Sequence, residues 1–87
     1  MKRIRISGKV QGVYFRASAK RKAEELGVYG VVMNESDGTV YIEAEGDIIS
    51  LSDFISWCYK GPVGARVDKV EVWEGEVKNY SVFEINS

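Results

Sequence analysis

The stretch RIRISGKVQGVYFR, residues 3–16, changes period partway along, and that change decides the fold. Ile4 and Ile6 alternate with Arg3, Arg5 and Ser7, the two-residue period of a strand with one buried face. Further on, Phe15, Ala19, Ala23 and Leu26 recur at helical spacing while Lys20, Arg21, Lys22, Glu24 and Glu25 fill the other face. This predicts a helix over residues 16–26, stopped by Gly27. The junction lacks a side-chain cap. A helix start leaves backbone N–H groups without partners, commonly met by Ser, Thr, Asp or Asn, and none of these lies between Gly8 and Arg16.

That junction supports two readings. In one, the N–H groups bond to water in an ordinary strand-to-helix turn and Arg16 is a solvated charge. In the other, Gly12 lets the backbone bend toward an anion, the helix terminus adds partial positive charge, and Arg16 supplies a two-pronged donor matched to a phosphoryl group. Gly8-Lys9 fits neither common nucleotide fingerprint, since a P-loop ends in Gly-Lys-Ser/Thr and a dinucleotide fold needs a longer crossover.

Beyond Gly27, residues 28–34 read as a second strand and 39–45 as a third, in which Val40, Ile42 and Ala44 face opposite to Tyr41, Glu43 and Glu45. Asp37-Gly38 between them signals a hairpin. Asp47 is placed to cap a second helix whose apolar stripe runs through Leu51, Phe54, Ile55 and Cys58 and which ends at Gly61-Pro62. Val70 and Val72 mark a fourth strand, and Phe83 and Ile85 a short final one. The order is strand, helix, strand, strand, helix, strand, with a short extra strand. It predicts an α+β, ferredoxin-like split βαβ sandwich: an antiparallel sheet covered on one face by two helices. Residues 1–87 are expected to form a single domain.

Composition narrows the chemistry. Lys and Arg total 12 against 13 Asp and Glu, a formal net charge of -1, so nothing attracts nucleic acid or anionic membrane globally. One cysteine, Cys58, rules out an internal disulfide framework and the paired-cysteine site of a copper chaperone, and fits a reducing compartment. With no histidine, the commonest general base and zinc ligand are both missing. Arg5, Ser7 and Lys9 interrupt any apolar run after Met1-Lys2-Arg3, and no segment reaches transmembrane length, so neither a leader nor a membrane anchor is expected.

Gly8-Lys9-Val10-Gln11-Gly12-Val13-Tyr14-Phe15-Arg16, joined to Leu26-Gly27-Val28, Asn34 with Asp37-Gly38, Val40, Glu45-Gly46, Lys60-Gly61-Pro62 and Ala65-Arg66-Val67, closely resembles the acylphosphatase family over nearly the whole chain. The resemblance implies hydrolysis of carboxyl-phosphate mixed anhydrides by a small cytoplasmic enzyme without metal or cofactor; separately, nothing in the sequence demands more than a monomer. Its substrate is an acyl phosphate and inorganic phosphate is a product. By position it assigns the phosphoryl group to Arg16 and the loop Gln11, Gly12, Val13, Tyr14 and Phe15, and the attacking water to Asn34. The chain departs from the usual pattern at Val31-Val32-Met33-Asn34, where Trp-Val-Arg-Asn is common, and at Gly61-Pro62-Val63, where Gly-Pro-Pro is frequent.

Several residues carry a plainer reading. Asn34 beside the hairpin suits a turn, Gln11 suits a loop-shaping role, Phe15 lies on the helix's apolar stripe, and Glu35 and Asp37 suit solvated turn charges rather than a catalytic carboxylate pair. A non-catalytic anion-binding regulatory module would use the same loop. A single-stranded RNA binder would use Tyr41 and Trp73 as stacking platforms, but Glu43, Glu45, Glu71 and Glu74 oppose it.

Overall fold

The computed structural model describes residues 1–86; Ser87, the last residue of the expected 1–87 unit, lies outside them. Along the chain run β1 (Lys2–Lys9), α1 (Phe15–Leu26), β2 (Tyr29–Asn34), β3 (Val40–Glu45), α2 (Ile48–Lys60), β4 (Arg66–Glu74) and β5 (Phe83–Asn86). The strands form one sheet in the order β4-β1-β3-β2-β5. The expected layers are present, and both helices pack on the face that carries Ile4, Ile6, Val32, Val40, Ile42 and Ala44.

Period-two alternation builds the floor of the core and period-3.6 stripes build its roof. Phe15, Ala19 and Ala23 from α1 and Leu51, Phe54 and Cys58 from α2 are buried against the sheet. Phe54 meets Phe83 edge-on at 5.8 Å between ring centroids, and Trp57 meets Phe15 at 5.3 Å. Each fully buried side chain of this size contributes about 1.5–3 kcal/mol of transfer free energy. Burial also pushes the Cys58 thiol up, so it stays protonated as a core residue.

The expectation of an antiparallel sheet needs one correction. Three of the four ladders are antiparallel, but β5 pairs with β2 in parallel, Gly30 opposite Phe83 and Val32 opposite Ile85. The path of the chain explains it. β1, β2 and β5 all end at one edge of the sheet, the upper end, whereas β3 and β4 begin there. The chain leaves β4 at the lower end and crosses beneath the sheet through residues 75–82, so β5 has to run upward beside β2.

Acidic side chains pin that crossover. The Glu45 carboxylate accepts from the backbone N–H groups of Lys78 and Tyr80, and Gly75 N–H donates to Met1 O at 2.8 Å. Glu43, only 5% exposed, accepts from the Tyr41 hydroxyl at 2.7 Å, from Lys78 Nζ at 2.9 Å and from the Tyr80 hydroxyl. Burial pushes its carboxyl up, but the three donors outweigh burial and hold it at about 2. Burial and the bond to Glu43 together raise Tyr41 to about 12.

On the open face Tyr41 and Trp73 lie 6.3 Å apart between ring centroids, the Tyr41 hydroxyl is engaged by Glu43, and the Arg5 guanidinium sits over Trp73 at 5.5 Å. Internal partners therefore take up both aromatic groups that a stacking platform would use. No helix among the described residues is long and apolar enough to cross a membrane.

Candidate active site

The upper end of the sheet gathers the C-terminal ends of β1, β2 and β5 with the start of α1. Helix α1 begins at Phe15, one residue earlier than its charge pattern suggests, because Phe15 itself is 2% exposed and anchors the first turn in the core. As expected, no side chain caps it. The N-cap is Tyr14, in the left-handed region at φ 62 and ψ 26, and Gly12 before it has φ 75. A Cβ on Gly12 would meet nothing within 4 Å, so the glycine serves the backbone's path rather than close packing. For Tyr14 the left-handed conformation costs about 1–2 kcal/mol.

A left-handed residue followed by helical ones turns successive N–H groups toward a common concavity, the geometry that receives anions. Among the described residues no turn or cap carbonyl accepts the N–H groups of residues 12–17; the first bond of this helix is Ser18 N–H to Tyr14 O at 3.0 Å. The first turn of α1 carries no acidic residue, so no carboxylate offsets the partial positive charge of the helix start.

Of these residues, Gly12, Tyr14, Phe15, Arg16 and Ala17 border a cavity of about 430 Å³. Gly12, Tyr14, Phe15, Arg16 and Asn34 line it together, so five of the seven candidate residues meet in one place although eighteen positions separate Arg16 from Asn34. Arg16 is half-buried, and none of the seven ion pairs among the described residues uses it. The Asn34 Oδ1 is buried with no hydrogen-bond partner. A buried acceptor left without a partner costs about 1–3 kcal/mol; Arg3 Nε and Arg5 Nε are also buried without a partner, and of the three residues only Asn34 lines the cavity.

Gln11 and Val13 do not line the cavity. The Gln11 side-chain amide donates to Glu35 O and Thr39 O, both at 2.8 Å, so it ties the loop to the turn between β2 and β3, which begins directly after Asn34. Val13 packs against the core. Asp37 shapes the same turn: its carboxylate accepts from the Thr39 backbone N–H at 3.1 Å and hydroxyl at 2.7 Å, bonds that lower its pKa. Its turn reading therefore describes it well.

Three lining residues had no signal in the sequence reading. Val10 looks like loop, Ala17 is a small helical residue, and Ile85 reaches the cavity only because β5 rises beside β2. The departures near Asn34 fall elsewhere. Asn34 and Val32 sit across from Val40 and Ile42 on the helix-covered face, whereas Val31 and Met33 sit across from Glu43 and Tyr41 and project from the other face.

The sequence profile of the acylphosphatase family matches residues 2–85. The chain belongs to the acylphosphatase family. An acylphosphatase of Roseiflexus sp. (strain RS-1) is 49% identical over 81 residues, covering 88% of this chain and 87% of its own. The crystal structure of acylphosphatase from Bacillus subtilis superposes with a TM-score of 0.95 at 31% identity, covering 99% of this chain and 97% of that one. The same fold occurs inside a much longer protein: a crystal structure of full-length HypF in a phosphate- and nucleotide-bound form matches 99% of this chain at 37% identity and a TM-score of 0.92, over 11% of its own length. As an acylphosphatase the chain is a hydrolase acting on acyl phosphates.

Proposed function

We propose that this acylphosphatase holds the phosphoryl group of its substrate at the start of α1, with the loop N–H groups and Arg16, and positions the attacking water with Asn34. The observation that carries the reading is the set of groups without partners, among the described residues, on the residues that line one cavity: the backbone N–H groups of Gly12, Tyr14, Phe15, Arg16 and Ala17, the Arg16 guanidinium outside every ion pair, and the buried Asn34 Oδ1.

The chemistry suits a chain without histidine. The leaving group is a carboxylate, the conjugate base of an acid of pKa about 4, so it departs at neutral pH unprotonated and needs no general acid. Phosphoryl transfer passes through a loose transition state, in which positioning and charge stabilisation outweigh strong base catalysis. Arg16 grips two phosphoryl oxygens, and the N–H groups take the rest and strengthen as charge builds on them. Asn34 Oδ1 accepts from a water and aims it in line with the departing carboxylate. The water oxygen bonds to phosphorus, the phosphorus–acyl oxygen bond breaks, and the water's proton goes to a phosphoryl oxygen. Arg16 and the helix terminus supply the positive charge, so the reading calls for no metal ion and describes a cytoplasmic, monomeric, single-domain enzyme.

Hydrolysis of benzoyl phosphate in excess chelator tests it, with circular dichroism to verify folding. Wild type is expected to turn over, phosphate to inhibit competitively, and folded Arg16→Lys and Asn34→Ala to lose most activity. Folded wild type that binds phosphate without turnover would favour the second reading, an anion-binding module, for which the shared fold within full-length HypF is the supporting observation.

A further inference from the structure

Tyr14 is out of place as a structural residue. It holds a left-handed backbone that glycine or asparagine would adopt with less strain, and its side chain is 84% exposed. Its ring joins none of the aromatic pairs among the described residues, and its hydroxyl makes no hydrogen bond there. What Tyr14 gives the fold is its backbone carbonyl, which accepts from Ser18 N–H, a task open to any residue. Among the described residues no aromatic pair or side-chain hydrogen bond of Tyr14 offsets the strain, yet this exposed residue lines the cavity that holds Arg16 and Asn34.

The in-line geometry assigns a use to that position. Asn34 lines the cavity and its Oδ1 is buried, whereas Tyr14 is exposed, so in the catalytic reading a water held by Asn34 attacks from the buried side and the carboxylate leaves on the opposite side, toward solvent. The acyl substituent then emerges where an exposed aromatic ring is waiting. We propose that Tyr14 is a specificity residue whose ring stacks on the acyl group, so that this enzyme favours acyl phosphates with a planar aromatic substituent over small aliphatic ones. This rests on the catalytic reading above and names the substrate class for the same site.

The test compares kcat/KM for benzoyl phosphate and acetyl phosphate in wild type, Tyr14→Asn and Tyr14→Phe, together with the inhibition constant of inorganic phosphate for each. Asparagine tolerates the left-handed backbone and removes the ring; phenylalanine keeps the ring. Tyr14→Asn is expected to lower the benzoyl-to-acetyl ratio by about 3- to 10-fold, the range of an aromatic contact; a change in the phosphate-binding backbone acts on both substrates alike and leaves that ratio where it was. Tyr14→Phe is expected to keep the wild-type ratio. An unchanged ratio in Tyr14→Asn, or an equal loss on both substrates, would overturn the assignment while leaving the catalytic reading intact. No turnover of either substrate by wild type would overturn both.

Discussion

The two ends of the sheet treat their polar groups in opposite ways. At the lower end α2 starts at Asp47, whose carboxylate accepts from the Ser50 backbone N–H at 2.9 Å, while Glu45 binds two backbone N–H groups of the crossover and Glu43 is met by three donors. At the upper end α1 starts on a strained tyrosine with no side-chain cap, and Asn34 Oδ1 is buried without a partner. Both helices have comparable length and the same sheet beneath them. The lower end spends its side chains on satisfying the backbone, and the upper end leaves donors and an acceptor without partners, the groups that the proposed reading assigns to a substrate.

Substitutions at the upper end should cost activity and spare the fold. Arg16→Lys loses the planar fork and is expected to lower kcat/KM about 100-fold or more while weakening phosphate inhibition. Asn34→Ala is expected to lower kcat by a similar factor with phosphate inhibition little changed, since it removes the water's acceptor and not the anion's donors. Steady-state kinetics with phosphate as inhibitor separates the two, and an equal change in both constants for Asn34→Ala would break the division of labour.

The next largest effect belongs to the lower end. Glu43→Ala leaves Tyr41, Tyr80 and Lys78 without their acceptor and is expected to destabilise by about 2 kcal/mol, lowering the melting temperature by about 10 °C with kcat/KM unchanged. The depressed pKa sets the pH dependence. A carboxyl lowered from 4.5 to about 2 contributes stability that is present above pH 4.5 and lost as pH falls toward 2. Wild type should therefore lose stability across that window more steeply than Glu43→Gln, as denaturant titrations at several pH values would show.

Gln11 lies between these cases, because it joins the anion loop to the turn after Asn34. Gln11→Ala is expected to lower kcat about 10-fold with phosphate inhibition within about 3-fold, a split that loss of the fold alone would not produce. The smallest effect is at the capped helix. Asp47→Ala should lower the melting temperature by a few degrees and leave kinetics untouched. Hydrogen bonds from Ser50 lower the Asp47 pKa, so its contribution is present above pH 3.8 and fades as pH falls below it.

Much of this division was legible in residue order. Ile4 and Ile6, the stripe from Phe15 to Leu26, Asp37-Gly38 and Asp47 each identify their element, because burial on one face imposes a period and turns demand particular backbones. The missing cap before Arg16 was visible as an absence of residue types. The extent of β4 was not: it is an edge strand whose exposed Arg66, Asp68 and Lys69 hide the alternation that Val70 and Val72 retain. The direction of β5 depends on where the crossover runs, and with it the arrival of Ile85 at the cavity. Glu43 and Glu45 read as surface charges because, apart from the Tyr41 hydroxyl, their donors lie 33 to 37 positions away. The left-handed backbone of Tyr14 had no signal at all, since side-chain type favours the opposite conformation there.

The central claim is that the uncapped start of α1, and not the capped start of α2, is the anion site. Titrating inorganic phosphate into the isotopically labelled protein and following backbone amide resonances by NMR tests it directly. The account predicts saturable shifts confined to the amides of residues 12–17 and the Asn34 side chain, with Ile48, Ile49 and Ser50 unmoved and the effect lost in Arg16→Lys. Shifts of equal size at both helix starts, or none at residues 12–17, would contradict it.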